Sequence, residues 1–221
     1  MCGRFTSHHS SEEIVERFAI DEALFQTAPR YNIAPTQIVA AVVEQQGKRQ
    51  LTGLRWGLIP SWSKDPDIGN RMINARAETI MDKPSFKPAL ARRRCLIPAD
   101  GFYEWKKSSA GSQPYHIRRK DGELFAFAGL WEGWQSPDGS PLQTCTIITV
   151  EPNELMVPIH NRMPAILERE DEQRWLDAAS KDVFALVKLL RPHSPDEFEA
   201  FPVSRAVNSP GSDAPSLIEK T

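Results

Sequence analysis

Hydrophobic and polar positions along this chain follow two different periods. Ser10 stands three residues before Glu13, the spacing of a capping box, and opens a short helix with apolar Ile14, Val15 and Phe18. A β-rich body follows. QIVAAVVE (37–44) and QLTGLRWGL (50–58) predict two strands, joined as a hairpin by a turn around Gly47. Residues 60–72, PSWSKDPDIGNRM, gather prolines, glycine and charges into a surface loop that exposes Trp62. MINARAE (72–78) alternates small or apolar residues with polar ones. RCLIPADGFYEWKK (94–107) predicts a strand pair or a bent strand, interrupted at Pro98-Ala99-Asp100-Gly101. PYHIRR (114–119), ELFAFAGLWEGW (123–134) and LQTCTIITV (142–150) predict further strands, set apart by Gly-, Pro- and Ser-containing turns. EREDEQRWLDA (168–178) and DVFALVKLL (182–190) predict helices from their acidic starts and apolar spacing. From Ser209 the chain turns polar and predicts a loose tail (209–221).

No internal repeat or low-complexity linker interrupts this pattern. Short strands in a row with few helices predict one α+β domain, built on a mostly antiparallel, barrel-like β core with a few peripheral helices. The 221 residues are enough to bury a sizeable core without staples.

Charge changes the picture slightly. The formal net charge is −2, so the chain as a whole does not advertise a nucleic-acid partner. The division is uneven: residues 1–107 hold 16 Lys and Arg against 12 Asp and Glu, and residues 108–221 hold 11 against 17. A basic half can carry an anion-binding face, and chance unevenness is the plain alternative. The three cysteines, Cys2, Cys95 and Cys145, are odd in number and form no C-x-x-C. That argues against a disulfide framework or a cysteine zinc site and for a reducing compartment. With no signal peptide and no membrane-spanning run, a cytoplasmic protein is expected.

The chain opens MCGRF, which puts Cys2 where loss of Met1 makes it the first residue. The terminus would then carry a free α-amine and a thiol on adjacent carbons. An α-amine has an ordinary pKa of about 7.7–8, against about 10.4 for lysine, so far more of it is neutral at pH 7. Such an amine forms imines with aldehydes, and the adjacent thiol can close a five-membered thiazolidine. The same terminus also suits acyl transfer, with the thiol as nucleophile and the amine as base.

Three more polar residues stand out. On a strand, Phe102, Glu104 and Lys106 share one face, and Tyr103 with Trp105 the other. Glu104 among aromatics is a candidate acid–base group, or a solvated glutamate on a sheet face. Alternation sets Asn74, Arg76 and Glu78 on one face, as an amide beside a phosphate-binding guanidinium or as ordinary polar alternation. His160 and Arg162 repeat the two-residue offset; His160 suits proton transfer, or serves as a structural histidine. Arg4, two residues from Cys2, could hold a phosphate, and Pro35 and Trp62 sit in loops where they could wedge or stack against bases.

Together these residues resemble the SRAP family, the SOS-response-associated peptidases or abasic-site-processing proteins. The matching stretches are MCGRF, RYNIAPTQ, LRWGLIPSW, INARAET, SFKP, CLIPADGFYEWKK, PIHNRMP and FPVSRAVN, in order over residues 1–208. The resemblance implies a single SRAP domain over residues 1–208 with a barrel-like β core. It implies self-catalysed loss of Met1 and covalent capture of abasic sites in single-stranded DNA, in the DNA damage (SOS) response. By resemblance, Cys2 is the crosslinking nucleophile, Asn74 holds the terminus and the opened sugar, Glu104 is the acid–base group, and His160 donates a proton for ring opening. Arg4, Arg76 and Arg162 are implied phosphate contacts, and Pro35 and Trp62 part of a wedge beside the lesion. Where relatives often carry a second aromatic after that tryptophan, this chain has Ser63. The chemistry calls for no metal and no organic cofactor; a monomer working at the nucleoid during repair is expected. Two rival readings are an N-terminal-nucleophile glutamine amidotransferase and a non-catalytic single-strand-binding module. Arg4 after Gly3, and the lack of an Arg-Gly segment to grip glutamine, count against the first.

Overall fold

The computed structural model describes residues 2–109 and 111–221. In chain order the strands are β1 (Phe5–Ser7), β2 (Glu22–Ala23), β3 (Arg30–Ile33), β4 (Ile38–Gln45), β5 (Lys48–Trp56), β6 (Asn74–Arg76) and β7 (Arg94–Ala99). They continue with β8 (Gly101–Ser108), β9 (Gly111–Arg119), β10 (Phe125–Gln135), β11 (Pro141–Val150), β12 (Met163–Pro164), β13 (Ile166–Leu167) and β14 (Phe198–Pro202). The helices are short: α1 (Ser11–Arg17), α2 (Lys87–Arg92), α3 (Glu172–Leu176) and α4 (Val183–Val187).

Five strands close a barrel in the order β5-β4-β7-β10-β11, with β11 returning to β5. Four neighbouring pairs are antiparallel, and the closing pair is parallel through Thr144 with Arg55 and Cys145 with Trp56. An odd ring of alternating strands cannot close antiparallel, so one parallel seam is required. A second sheet runs β14-β9-β8-β1-β3. The hairpin expected from the alternation is β4–β5, with Val42 opposite Leu51.

The predicted bent strand at 94–107 is a crossing between sheets. Chain in β7 forms barrel wall, Asp100 alone intervenes, and β8 continues in the second sheet. Gly101 makes the crossing possible, because a Cβ there would stand 2.2 Å from His116 Nε2 and 2.8 Å from Thr6 Oγ1. Phe5, Trp56, Phe102 and Phe127 fill the space between barrel and sheet as edge-to-face rings. Alternate residues of β8 turn the other way, and Tyr103 joins Phe201, Val203, Val207 and Leu217 in a smaller cluster. Both faces of β8 are therefore buried near its start, which decides the fate of Glu104.

The ends of the chain are tied into this frame. The capping box at Ser10 forms in both directions and starts α1. The expected loose tail from Ser209 is instead packed down. Leu217 is 3% exposed, Lys220 bridges to Val203, and Asn32 Nδ2 donates to the carbonyls of Ser209 at 3.0 Å and Ser212 at 2.7 Å. Asp213 accepts from the Tyr31 amide at 2.6 Å and from the Arg30 side chain. The two C-terminal helices are shorter than their sequence patterns: α3 follows a single 3-10 turn, and α4 is capped by Asp182 through the Ala185 amide. Among the described residues no helix is long and apolar enough to cross a membrane.

Candidate active site

Register brings the site together. In the β1–β8 pair Phe5 faces Phe102 and Thr6 faces Gly101, and the Tyr103 amide extends the ladder to the Arg4 carbonyl at 3.0 Å. The same register carried toward the N-terminus brings Gly3 level with Glu104 and Cys2 level with Trp105. β6 runs parallel to β11, with Asn74 level with Ile147, and holds Asn74 against the same end. β12 pairs with the last residues of β11 and places the segment containing His160 and Arg162 beside Thr149.

Cys2, Asn74, Glu104 and His160 form one group. Asn74 Nδ2 donates to the Cys2 carbonyl at 2.8 Å. Its Oδ1 is buried and has no hydrogen-bond partner among the described residues. The Cys2 thiol is buried, and burial first, then the neighbouring Glu104 charge, pushes its pKa well up. The thiol is therefore protonated at neutral pH. Glu104 is 2% exposed, and burial raises its pKa from 4.5 to about 7. A carboxyl tuned there gives and takes protons near neutrality with little driving-force penalty. His160 Nε2 stands 3.9 Å from Glu104 Oε2. The Arg162 amide donates to His160 Nδ1 at 3.1 Å, so the neutral ring carries its proton on Nε2, the side facing Glu104. Burial lowers the His160 pKa, which favours that neutral form.

The arginines are placed differently from one another. Arg76 is exposed on β6, two residues from Asn74. Arg162 donates to both oxygens of Glu78 at 2.6 and 3.0 Å and to the Thr149 carbonyl at 2.5 Å. Arg4 donates to Asn32 Oδ1 at 3.0 Å and to the Val207 carbonyl at 2.7 Å. Both guanidiniums are thus engaged by protein acceptors. Trp62 is 59% exposed, and its loop is pinned where Trp134 Nε1 donates to the Ser63 carbonyl at 2.7 Å. Pro35 is half-buried in the β3–β4 turn. Thr36 takes φ 73° there, and the Gln37 side chain accepts from the Ala34 amide at 3.0 Å. Both loops leave the same end of the β4–β5 hairpin, where the Thr36 amide donates to the Trp56 carbonyl at 2.8 Å.

Asn32, Glu78 and Thr149 are the residues that sequence reasoning missed. Each acts on a partner far along the chain, and only the polar alternation of INARAE hinted at Glu78.

A barrel joined to a sheet whose strand β1 delivers a cysteine onto a buried carboxyl, an amide and a histidine defines a distinct class. Residues 1–210 match the model of the SOS response associated peptidase (SRAP) family, and the chain belongs to that family. It is 50% identical over 222 residues to the abasic site processing protein YoqW of Bacillus subtilis (strain 168), covering 99% of each chain. It is 35% identical to the abasic site processing protein HMCES of Gallus gallus, over 86% of this chain and 66% of that one. A crystal structure of a Bacteroides thetaiotaomicron protein superposes with a TM-score of 0.90 at 26% identity, covering 100% of both chains.

Proposed function

We propose that this protein captures abasic sites in single-stranded DNA by a covalent bond to Cys2, after hydrolytic loss of Met1. The observation that carries this reading is the convergence on Cys2 of Asn74, Glu104 and His160, with Glu104 tuned to about 7. The relatives' names supply the substrate class.

Hydrolysis of the Met1–Cys2 bond consumes one water, releases methionine and frees the α-amine. In its protonated form His160 gives its Nε2 proton to the ring oxygen of the closed sugar while the C1′ hydroxyl proton passes to the Glu104 carboxylate, and the ring opens to the aldehyde. The amine adds to C1′, and Glu104 moves a proton from nitrogen to the departing hydroxyl. An imine and one water result. The thiol then adds across the C=N bond: sulfur goes to C1′, and its proton reaches nitrogen by way of Glu104. Aldehyde and aminothiol thus become a thiazolidine plus one water. With the imine consumed, β-elimination and strand cleavage lose their driving intermediate.

Asn74 Oδ1, buried and unpaired among the described residues, is free to accept from a hydroxyl of the opened sugar. Arg76 is the phosphate contact closest to hand. Arg162 reaches phosphate by exchanging it for Glu78, and Arg4 acts from behind the terminus. Trp62 and Pro35 flank the gap left by the missing base. A single-stranded substrate avoids the cost of opening a duplex around the lesion.

The test is intact mass of the protein after incubation with an oligonucleotide bearing one abasic site. The expected product is the chain without Met1, plus the oligonucleotide, minus one water, stable to denaturation and absent for Cys2→Ala. A heat-stable adduct formed by Cys2→Ala, or none formed by processed wild type, overturns the proposal.

A further inference from the structure

His8 and His9 take no part in the chemistry above, yet the fold brings them together at the crossing between barrel and sheet. A bend at His9 turns both rings to one side, stacked with centroids 5.2 Å apart. Both present Nδ1 to buried Asp100. His8 Nδ1 lies 2.9 Å from Oδ1, and His9 Nδ1 lies 3.1 Å from Oδ2. The three ligand atoms fall within 4.8 Å of one another.

Two imidazole nitrogens this close to carboxylate oxygens need a proton or a metal ion on each line of approach. For His9 a proton suffices, because Nδ1 and Oδ2 have hydrogen-bond geometry. His8 Nδ1, a buried atom, comes as close to Oδ1 at 2.9 Å but off the line that a well-aligned hydrogen bond takes. A cation lying off that N–O line would satisfy both nitrogens and the carboxylate at once. The outer contacts are those of a ligating carboxylate. The Thr6 hydroxyl donates to Oδ1 at 2.5 Å and the His8 amide to Oδ2 at 2.5 Å, which fixes the group in place. The two histidine side chains are 33% and 20% exposed, so water can reach the remaining coordination positions.

We infer that His8, His9 and Asp100 form a binding site for a borderline divalent cation of the Zn2+ class, which pins β1 to the β7–β8 junction. Two imidazoles and one carboxylate suit Zn2+ or Co2+ and not the oxygen-seeking Ca2+ or Mg2+. The ion is structural and lies outside the Cys2 chemistry, which still needs no metal. The inference stands independently of the abasic-site reading.

Co2+ and Zn2+ are titrated into the full chain and into the His8→Gln/His9→Gln variant. Wild type is expected to bind one equivalent more than the variant, with a visible Co2+ d–d band. At about a hundredfold excess over Kd, Zn2+ should raise its melting temperature by about 5–10 °C relative to the variant. Equal binding and equal shifts in the two proteins overturn the assignment. Should the variant misfold by circular dichroism, X-ray absorption on wild type with one Zn2+ decides. Imidazole scattering with only nitrogen and oxygen neighbours supports the site, and a sulfur neighbour overturns it.

Discussion

Replacing Glu104 by Gln tests the electrostatics of the site without reference to DNA. Glu104 is buried, and its carboxyl is lifted from 4.5 to about 7 chiefly by loss of water. The folded state therefore holds the proton more tightly than the unfolded chain does. Stability linked to that proton is fully present below pH 4.5 and is lost as pH rises through 7. The span corresponds to about 3 kcal/mol. Glutamine keeps the shape and does not titrate. Urea unfolding of both proteins from pH 4.5 to 8.5 should show the stability of Glu104→Gln gaining on wild type by about 3 kcal/mol across that window. Titrating groups remote from Glu104 are common to both and cancel in the difference. In a domain of this size the gain equals about 6–12 °C in melting temperature. A difference that stays constant to within about 0.5 kcal/mol from pH 4.5 to 8.5 would refute the assignment of a desolvated, neutral-range carboxyl at this position.

Three further outcomes are expected. Trp62→Ala should leave stability within about 0.5 kcal/mol, because the ring is exposed, and weaken single-stranded DNA binding by about 1–3 kcal/mol in fluorescence anisotropy. Leu217→Ala should cost about 2–4 kcal/mol in urea unfolding, through a cavity beneath Tyr103 and Val207; a tail that contributes nothing would show no loss. Glu78→Gln breaks the carboxylate pairing of Arg162, whose backbone fixes His160. It should strengthen single-stranded DNA binding at low salt and add about 0.7 to the magnitude of the log–log salt slope, because the freed guanidinium takes up a phosphate.

Much of this architecture was legible in local pattern. Period-2 alternation placed the β4–β5 hairpin and separated Phe102 and Glu104 from Tyr103 on β8. Proline, glycine and charge marked the loop bearing Trp62. What alternation does not encode is the second layer. It reads Glu104 equally well as solvated or buried, and only the packing of β1 and its terminal residues against β8 resolves the choice. It also reads Arg4 and Arg162 as free cations, since their partners lie 203 and 84 residues away. The tail misled for a related reason: one buried leucine, the Asp213 carboxylate and a few backbone carbonyls anchor it, too few apolar positions to form a period.

Strand β1 lies between β3 and β8 in its sheet, which sets an order of events in time. The first residues synthesised find their second strand neighbour only when the chain has grown past Ser108, and Phe5 and Arg4 wait longer still, for Phe127 and Val207. At about 5–20 residues per second, Cys2 spends seconds as an open thiol before its cover exists. After that it is enclosed and protonated, and oxidants and alkylating agents meet a poor nucleophile. Alkylation of ribosome-bound chains of graded length should therefore persist until β8 has emerged and fade as the later strands close over the terminus, so that the elements which assemble around Cys2 also end its exposure to the wrong reagents.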